Sequence, residues 1–166
     1  MNNIIMIGMP GSGKSTLGVL IAKMTGKDFL DTDVGLQKAL GMKLSEYIKL
    51  NGLGAFRKAE DEYLRSLNLN DTVIATGGSA VYYDGAMCNL KASGTVVYLK
   101  VPFEQIQKRV GDLVKRGVVI EKGQTFKDLY DQRAPLYEKY ADVTVDESNL
   151  DVAHSATKIV ELLNLD

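Results

Sequence analysis

Apolar residues follow two different periods along this chain. Short, β-rich apolar runs recur at residues 3–8, 29–31, 72–76, 95–101 and 143–146. Longer stretches with the 3.6-residue spacing of a helix lie between them, for example residues 55–67 and 103–114. Strands that alternate with helices in this way predict an α/β fold, in which helices cover both faces of a parallel sheet.

Glycines and capping residues predict where two of the helices begin and end. A short helix over residues 45–51 is expected to break at the glycines that follow it, and a second helix to begin at Phe56. Asp33 is a candidate N-cap for a helix that starts near Val34.

The last third of the chain predicts two further helices. Residues 126–132 have a helical pattern that runs into Arg133-Ala134-Pro135. Because the residue before a proline is biased away from helical geometry, we expect a helix break here, with Arg133 free to point into a cleft. Residues 151–163 predict an amphipathic helix that closes the sheet.

Length and composition favour one domain over residues 1–166. The chain contains 3 prolines and 16 glycines, which are spread along it without a repeat or a linker-like tract. A chain of this length can bury a core of its own.

Charge and cysteine content exclude several classes of protein. The 20 basic and 21 acidic residues leave a net charge of −1, so there is no overall attraction to nucleic acid or to an anionic membrane. A single cysteine, Cys88, and a single histidine, His154, exclude an internal disulfide and a Cys/His zinc cluster. The first apolar run is too short for a signal peptide or a membrane span. We therefore expect a cytoplasmic protein that binds neither nucleic acid nor membrane. A monomer is a separate expectation, which the sequence does not settle.

The stretch from Gly8 to Thr16 reads G-M-P-G-S-G-K-S-T and matches the pattern G-x-x-x-x-G-K-[ST]. It joins an apolar run to a helical pattern, which is the context that a phosphate-binding loop requires. Backbone N–H groups and the positive end of the helix then converge on one anion. Lys14 could reach the β- and γ-phosphates, and the Ser15 hydroxyl could bind Mg²⁺. The candidate nucleotide-binding residues of the loop are Gly11, Ser12, Gly13, Lys14, Ser15 and Thr16.

Asp31 and Asp33 follow the second apolar run directly. Two carboxylates at alternate positions of a strand end point in a similar direction and can converge on one site. One could hold the water shell of Mg²⁺, while the other binds a substrate hydroxyl. Helix capping by Asp33 explains only one of the two residues.

Arg57 and the pair Gly77-Gly78 are further candidates. An arginine near the start of a helix opposes the helix dipole, which favours acidic residues there. Its planar guanidinium suits bidentate binding of a carboxylate, although a solvated surface arginine is the other interpretation. Paired glycines after a central strand allow a ligand to approach the backbone closely and leave N–H groups free to donate.

The segment around Lys115-Arg116-Gly117 resembles a flap that could bring Arg116 over the γ-phosphate. A basic surface loop would have the same composition, and the spacing does not distinguish the two.

Together these motifs resemble the shikimate kinase family, a branch of the P-loop fold related to the nucleoside monophosphate kinases. The resemblance rests on the glycine-rich loop, then L-D-T-D, G-x-x-x-F-R, T-G-G and R-A-P-L-Y, in that order over nearly the whole chain. It implies a three-layer α/β/α fold with a five-stranded parallel sheet of order 2-3-1-4-5. It also implies a single kinase domain, with a substrate-binding helical insertion over about residues 33–62 and a lid over about residues 112–124. The implied reaction is phosphorylation of the 3-hydroxyl of shikimate, with ATP as the donor and Mg²⁺ as the metal.

The same resemblance implies roles for the residues of the nucleotide site. Lys14 would bind the β- and γ-phosphates, Ser15 would bind Mg²⁺, and Asp31 would lie near the water shell of the metal. Arg116 would be the lid arginine that steadies the phosphate in transfer, and Arg109 would stack on adenine.

The resemblance also assigns the residues that bind the acceptor, a small carboxylate. Asp33 would bind substrate hydroxyls and orient or deprotonate the nucleophile. Arg57 and Arg133 would hold the substrate carboxylate, with help from a backbone N–H in the Gly77-Gly78 pair.

Two positions depart from the family pattern. Ser79 stands where the family commonly has a third glycine, and Gly117-Val118-Val119 replaces the Pro-Leu-Leu of the usual lid. The side chain of Ser79 could narrow the pocket or add a hydroxyl contact. Two alternatives therefore accompany the assignment: a kinase of another small hydroxy acid or amino alcohol, and a nucleotide-binding regulator without transfer.

Overall fold

One parallel sheet forms the centre of the molecule. The computed structural model describes residues 2–111, 118, 120–148 and 151–165. The strands in this part of the chain are β1 Asn3–Ile7, β2 Asp28–Asp31, β3 Thr72–Ala75, β4 Gly94–Lys100 and β5 Val143–Asp146. All pairings are parallel, and the order is β2-β3-β1-β4-β5. The strand order implied by the resemblance is confirmed, and the predicted strand ends differ by at most one residue.

Helices cover both faces of this sheet. They are α1 Lys14–Thr25, α2 Thr32–Leu40, α3 Leu44–Ser66, α4 Asp84–Ser93, α5 Phe103–Val110, α6 Phe126–Tyr140 and α7 Val152–Leu162, with a short 3-10 helix at Ala80–Tyr82. No helix in the described ranges has the length and apolar character that crossing a membrane requires.

The central strand β1 shows how the layers are held together. Ile5 and Ile7 point into a core shared with helices α4 to α6, while Ile4 and Met6 point into a second core shared with α1 and α7. All five residues of β1 are buried, because successive side chains of a strand alternate between two covered faces. The three-layer α/β/α architecture is therefore confirmed.

The predicted break before Pro135 is wrong. Helix α6 continues through Pro135 to Tyr140, so Arg133 lies in the middle of a helix. A proline inside a helix removes one hydrogen bond and costs about 3 kcal/mol. Burial of Arg133, Tyr137 and Tyr140 on the inner face of α6 outweighs this local preference.

Two other predicted helix boundaries are corrected. Gly52 does interrupt α3, with φ 85° and ψ 167°, but helical geometry resumes directly after it and not at Phe56. Helix α2 begins at Thr32, and its N-cap is Asp31, whose side chain accepts from the N–H groups of Asp33 and Val34. A cap must precede the first helical residue, so a helix start two residues earlier moves the cap from Asp33 to Asp31.

Candidate active site

A cavity of about 960 Å³ opens at the carboxyl ends of the strands. This is where ligands bind in open α/β sheets. Two groups of residues line it. We call the part lined by residues of the glycine-rich loop, 10–16, the phosphate end. The acceptor end is lined by Asp33, Arg57, Glu60, Ser79 and Arg133.

The phosphate end is built by the turn that leads from β1 into α1. Gly13 precedes the helix with φ 96° and ψ 8°, a left-handed conformation that favours glycine. The turn aims the first N–H groups of α1 at the cavity, where an anion would satisfy them. Gly11, Gly13, Ser15 and Thr16 line the cavity, whereas the Ser12 side chain is buried beneath the loop.

Lys14 lies inside this turn. Its Nζ donates to the carbonyl oxygens of Gly8 at 2.8 Å and Met9 at 2.9 Å. Desolvation lowers the pKa of Lys14 to about 8, although Asp33 and Asp31 oppose the shift. A desolvated ammonium group at the base of an anion site interacts strongly with phosphate, because little water screens it.

Ser15 and Asp31 meet beside the loop. The Ser15 hydroxyl donates to Asp31 Oδ2 at 2.6 Å, while Oδ1 caps helix α2. Hydroxyl and carboxylate oxygens are the hard ligands that Mg²⁺ prefers, and nucleotide-bound Mg²⁺ takes only one or two protein ligands. The residues present therefore fit that ion, although the described part of the chain holds no group of three or more acidic, His or Cys residues around one point.

Asp33 faces the cavity from the first turn of α2. Its side chain is open to the cavity, yet surrounding protein limits its hydration. That desolvation raises the pKa of Asp33 to about 6; the carboxylates of Glu60 and Asp31 add to the rise and Lys14 opposes it. A carboxyl group of this kind can accept a proton from a substrate hydroxyl near neutral pH.

Gly77 lies where Asp33 and Glu60 approach one another. A Cβ added to Gly77 would lie 2.7 Å from Asp33 Oδ1 and 3.0 Å from Glu60 Oε1. A side chain here would therefore push the two carboxylates apart. The Gly77 N–H donates to Thr32 Oγ1 at 3.1 Å. The expectation that this pair leaves N–H groups free to donate is therefore corrected for Gly77, whereas the Gly78 N–H donates to no other group in the described part of the chain.

Arg133 reaches the acceptor end from the middle of α6 and is 5% exposed. Its Nε donates to the Tyr82 hydroxyl at 3.2 Å, and its Nη1 lies 2.8 Å from the point that a Cβ on Gly78 would occupy. One turn later, the Tyr137 hydroxyl donates to the Gly78 carbonyl at 2.7 Å. Helix α6 thus places a guanidinium group and the Gly78 backbone side by side.

Arg57 is more open to solvent than Arg133. Its side chain is 47% exposed, and Nη2 donates to Glu121 Oε1 at 2.5 Å. Arg57 and Glu121 both line the cavity, so Arg57 lies at the acceptor end, and its binding of a carboxylate stays a prediction. The pairing with Glu121 was not foreseen, because nothing in the sequence relates residues 64 positions apart.

Arg109 lines the cavity near the phosphate end, on helix α5. Its Nη2 donates to Gln105 Oε1 at 3.1 Å and lies 3.5 Å from the Glu147 carbonyl oxygen. Arg116 lies outside the described residues, as does most of the lid predicted over about residues 112–124. Val118, Glu121 and Gln124 of that lid are described, and they line the cavity.

Glu60, Tyr82 and Tyr83 line the acceptor end without having been predicted as site residues. A signal for Glu60 existed: it lies three residues after Arg57, so the two share one face of α3. Tyr82 and Tyr83 follow Ser79 closely, but no sequence signal marks them, because tyrosines in such a segment are usually packing residues.

The sheet order and the glycine-rich loop after β1 define a P-loop nucleotide-binding fold. A family model described as "Shikimate kinase" matches residues 10–164. The chain belongs to the shikimate kinase family, a family of enzymes that use ATP as the nucleotide substrate.

Relatives and solved structures agree with this assignment. The chain is 37% identical to a shikimate kinase of Thermodesulfovibrio yellowstonii over 164 residues, which covers 97% of this chain and 94% of the relative. A shikimate kinase of Nitrosomonas europaea is 34% identical over 165 residues, 97% of this chain and 78% of the relative. The structure of the Acinetobacter baumannii shikimate kinase in complex with shikimate matches with a TM-score of 0.88 at 30% identity, covering 99% of this chain and 93% of that one.

Proposed function

We propose that this protein transfers the γ-phosphoryl group of ATP to the 3-hydroxyl of shikimate and releases shikimate 3-phosphate and ADP. One observation carries the proposal beyond family membership. A single cavity joins a phosphate-binding loop to a pocket that holds two arginines and two carboxylates. A small acid with several hydroxyl groups is the acceptor that this set of side chains suits best.

The phosphate end would bind the nucleotide. N–H groups of the loop and Lys14 would surround the β- and γ-phosphates. Ser15 and Asp31 would hold Mg²⁺, Ser15 directly and Asp31 through the metal's water shell. When bound, Mg²⁺ neutralises part of the phosphate charge. We further propose that Arg109 stacks on adenine and that Arg116 closes over the phosphates.

The acceptor end would bind and orient shikimate. Arg133 and Arg57 would donate to the substrate carboxylate, together with the N–H of Gly78. Asp33 would then accept from the reacting hydroxyl and orient it towards the phosphorus atom. Phosphoryl transfer requires little covalent work from the protein, so positioning and charge neutralisation supply most of the rate enhancement.

Release of ADP by the purified protein tests the proposal directly. We expect Mg·ATP turnover that depends on shikimate and is abolished in Lys14→Ala, with phosphorus NMR showing the phosphate on the 3-hydroxyl. Turnover with another hydroxy acid or amino alcohol at a higher kcat/KM than with shikimate would identify a different acceptor. Tight ATP binding without a phosphorylated product from any acceptor would identify a regulator. A monomeric state and a cytoplasmic location stay predictions, and sedimentation tests the monomeric state.

A further inference from the structure

Glu60 is a buried carboxylate held by two hydroxyl groups of the acceptor end. The Ser79 hydroxyl lies 2.8 Å from Glu60 Oε1 and 2.7 Å from Oε2. The Tyr83 hydroxyl donates to Oε2 at 2.6 Å. Glu60 itself is only 3% exposed. One carboxylate from α3 is thus bound by two donors from the segment that follows β3.

These hydroxyl groups are what hold Glu60 in place. In the described part of the chain, no Lys or Arg forms an ion pair with it within 4 Å, and Arg133 and Arg57 act on it only from farther away. A buried carboxylate needs hydrogen-bond donors, and each such bond to a charged group is worth more than a neutral one. Loss of the Ser79 hydroxyl would leave Tyr83 as the one remaining direct donor among the described residues.

The position of Glu60 matters because of what lies next to it. Glu60 Oε1 and Asp33 Oδ1 both lie within about 3 Å of the point that a Cβ on Gly77 would occupy. Any rotation of the Glu60 side chain would change the shape and charge of the cavity surface next to Asp33. Ser79 stands where the family commonly has glycine. It therefore holds the Glu60 carboxylate through a hydrogen bond that glycine cannot make.

We propose that Ser79 is a positioning residue for acceptor binding: together with Tyr83 it fixes the Glu60 carboxylate beside Asp33, so that the acceptor end presents a rigid pair of carboxylates to a polyhydroxylated acid. The inference rests on the proposed function. It predicts that Ser79 affects binding of the acceptor and leaves binding of the nucleotide unchanged.

Two substitutions remove the hydroxyl groups with little change in volume, Ser79→Ala and Tyr83→Phe. Loss of one hydrogen bond to the buried Glu60 carboxylate should leave that side chain less well held, so each variant is expected to raise the KM for shikimate by about tenfold. The KM for ATP should not change. Ser66→Ala is a matched control, since this exposed serine at the C-terminal end of α3 has the Tyr63 carbonyl, at 2.7 Å, as its one side-chain partner among the described residues.

A double-mutant cycle shows whether Ser79 acts through Glu60. In a Glu60→Gln background, we expect Ser79→Ala to change the KM for shikimate by less than twofold, because the bond it would remove no longer holds a carboxylate. The same tenfold change in both backgrounds would overturn the proposal, since Ser79 would then act by another route. An unchanged KM in Ser79→Ala and in Tyr83→Phe would overturn it as well.

The wild-type protein separates failure of this inference from failure of the proposed function. If wild-type protein does not turn over shikimate, the proposed acceptor is wrong and the inference, which rests on it, falls too. If wild-type protein turns over shikimate and the two variants behave like Ser66→Ala, only the role of Ser79 is wrong. Thermal melting of each variant, with the melting temperature within a few degrees of wild type, shows that a changed KM does not come from misfolding.

Discussion

The two ends of the cavity are built in different ways. The phosphate end is built by one continuous segment, residues 10–16, all of which except the buried Ser12 line the cavity, and much of its binding capacity comes from backbone N–H groups at the start of α1. The acceptor end brings together the first turn of α2, the middle of α3, the segment after β3 and the middle of α6. One end is therefore a local structure, whereas the other exists only when four parts of the fold are packed.

The ionisable groups at the two ends of the cavity also differ in the direction of their pKa shifts. At the phosphate end, desolvation lowers the pKa of the cation Lys14 to about 8. At the acceptor end, desolvation raises the pKa of two carboxyl groups, Asp33 and Glu60. A phosphate-binding loop accepts any nucleoside triphosphate that fits, so chemical selectivity must come from the acceptor end. Substitutions at the two ends should accordingly affect different kinetic constants.

The largest effect is expected at the phosphate end, for Lys14→Ala. Because Lys14 is proposed to bind the transferring phosphoryl group, loss of its charge should lower kcat by about 1000-fold, as expected for loss of a donor to a developing charge. ADP release at saturating shikimate measures this change. Lys23→Ala is the control, since Lys23 lies exposed in the last turn of the same helix. A kcat within tenfold of wild type would show that Lys14 is not the main phosphate ligand.

Asp33→Asn should be the most damaging change at the acceptor end. It keeps the shape of the side chain but removes the proposed base, so kcat should fall by about 100-fold while the KM for ATP stays constant. Single-turnover phosphoryl transfer measures the chemical step. Asp28→Asn provides the control, as Asp28 is exposed at the opposite end of β2. Equal losses in both variants would mean that Asp33 has no special role.

A comparison of the two arginines sharpens the picture of the acceptor end. Arg133→Lys should raise the KM for shikimate by about 20-fold, because a buried planar donor that can bind a carboxylate in bidentate fashion is lost. Arg57→Lys should raise it by only about fivefold, because Arg57 is half exposed and already paired with Glu121. Arg65→Lys, at an exposed pair with Asp61, is the control. The reverse ranking would make Arg57 the principal carboxylate ligand.

The smallest effect concerns stability rather than turnover. Burial raises the pKa of Glu60 above its ordinary 4.5, although bonds from Tyr83 and Ser79 and the charges of Arg133 and Arg57 oppose the rise. The folded state then keeps this proton to a higher pH than the unfolded state, so the free energy of unfolding falls as pH rises above about 4.5. Urea unfolding at pH 5 and pH 8 should show a larger fall for wild type than for Glu60→Gln. If the free energy of unfolding had the same pH dependence in the two proteins, the raised pKa of Glu60 would be contradicted.

Helix α6 shows why sequence patterns missed part of the site. A proline after Arg133-Ala134 predicts a helix end, yet α6 continues to Tyr140 because its buried face packs against the sheet. Similarly, Asp33 was the expected cap of α2, and Asp31 takes that position while it also binds Ser15. Local preferences for ending or capping a helix are worth about 1–3 kcal/mol. Burial of a whole helix face contributes more and therefore outweighs them.

The sequence by itself determined the α/β fold class and the phosphate end. Alternating strand and helix periods predict the layers, and a phosphate-binding loop needs only residues that are neighbours in the chain. The resemblance to a family named candidate residues of the acceptor end. Only the tertiary structure decided which side chains contact one another there. The bonds from Ser79 and Tyr83 to Glu60 span 19 and 23 residues, and the bond from Arg57 to Glu121 spans 64. Such contacts depend on how separate elements pack, and no local pattern of polar and apolar residues specifies that.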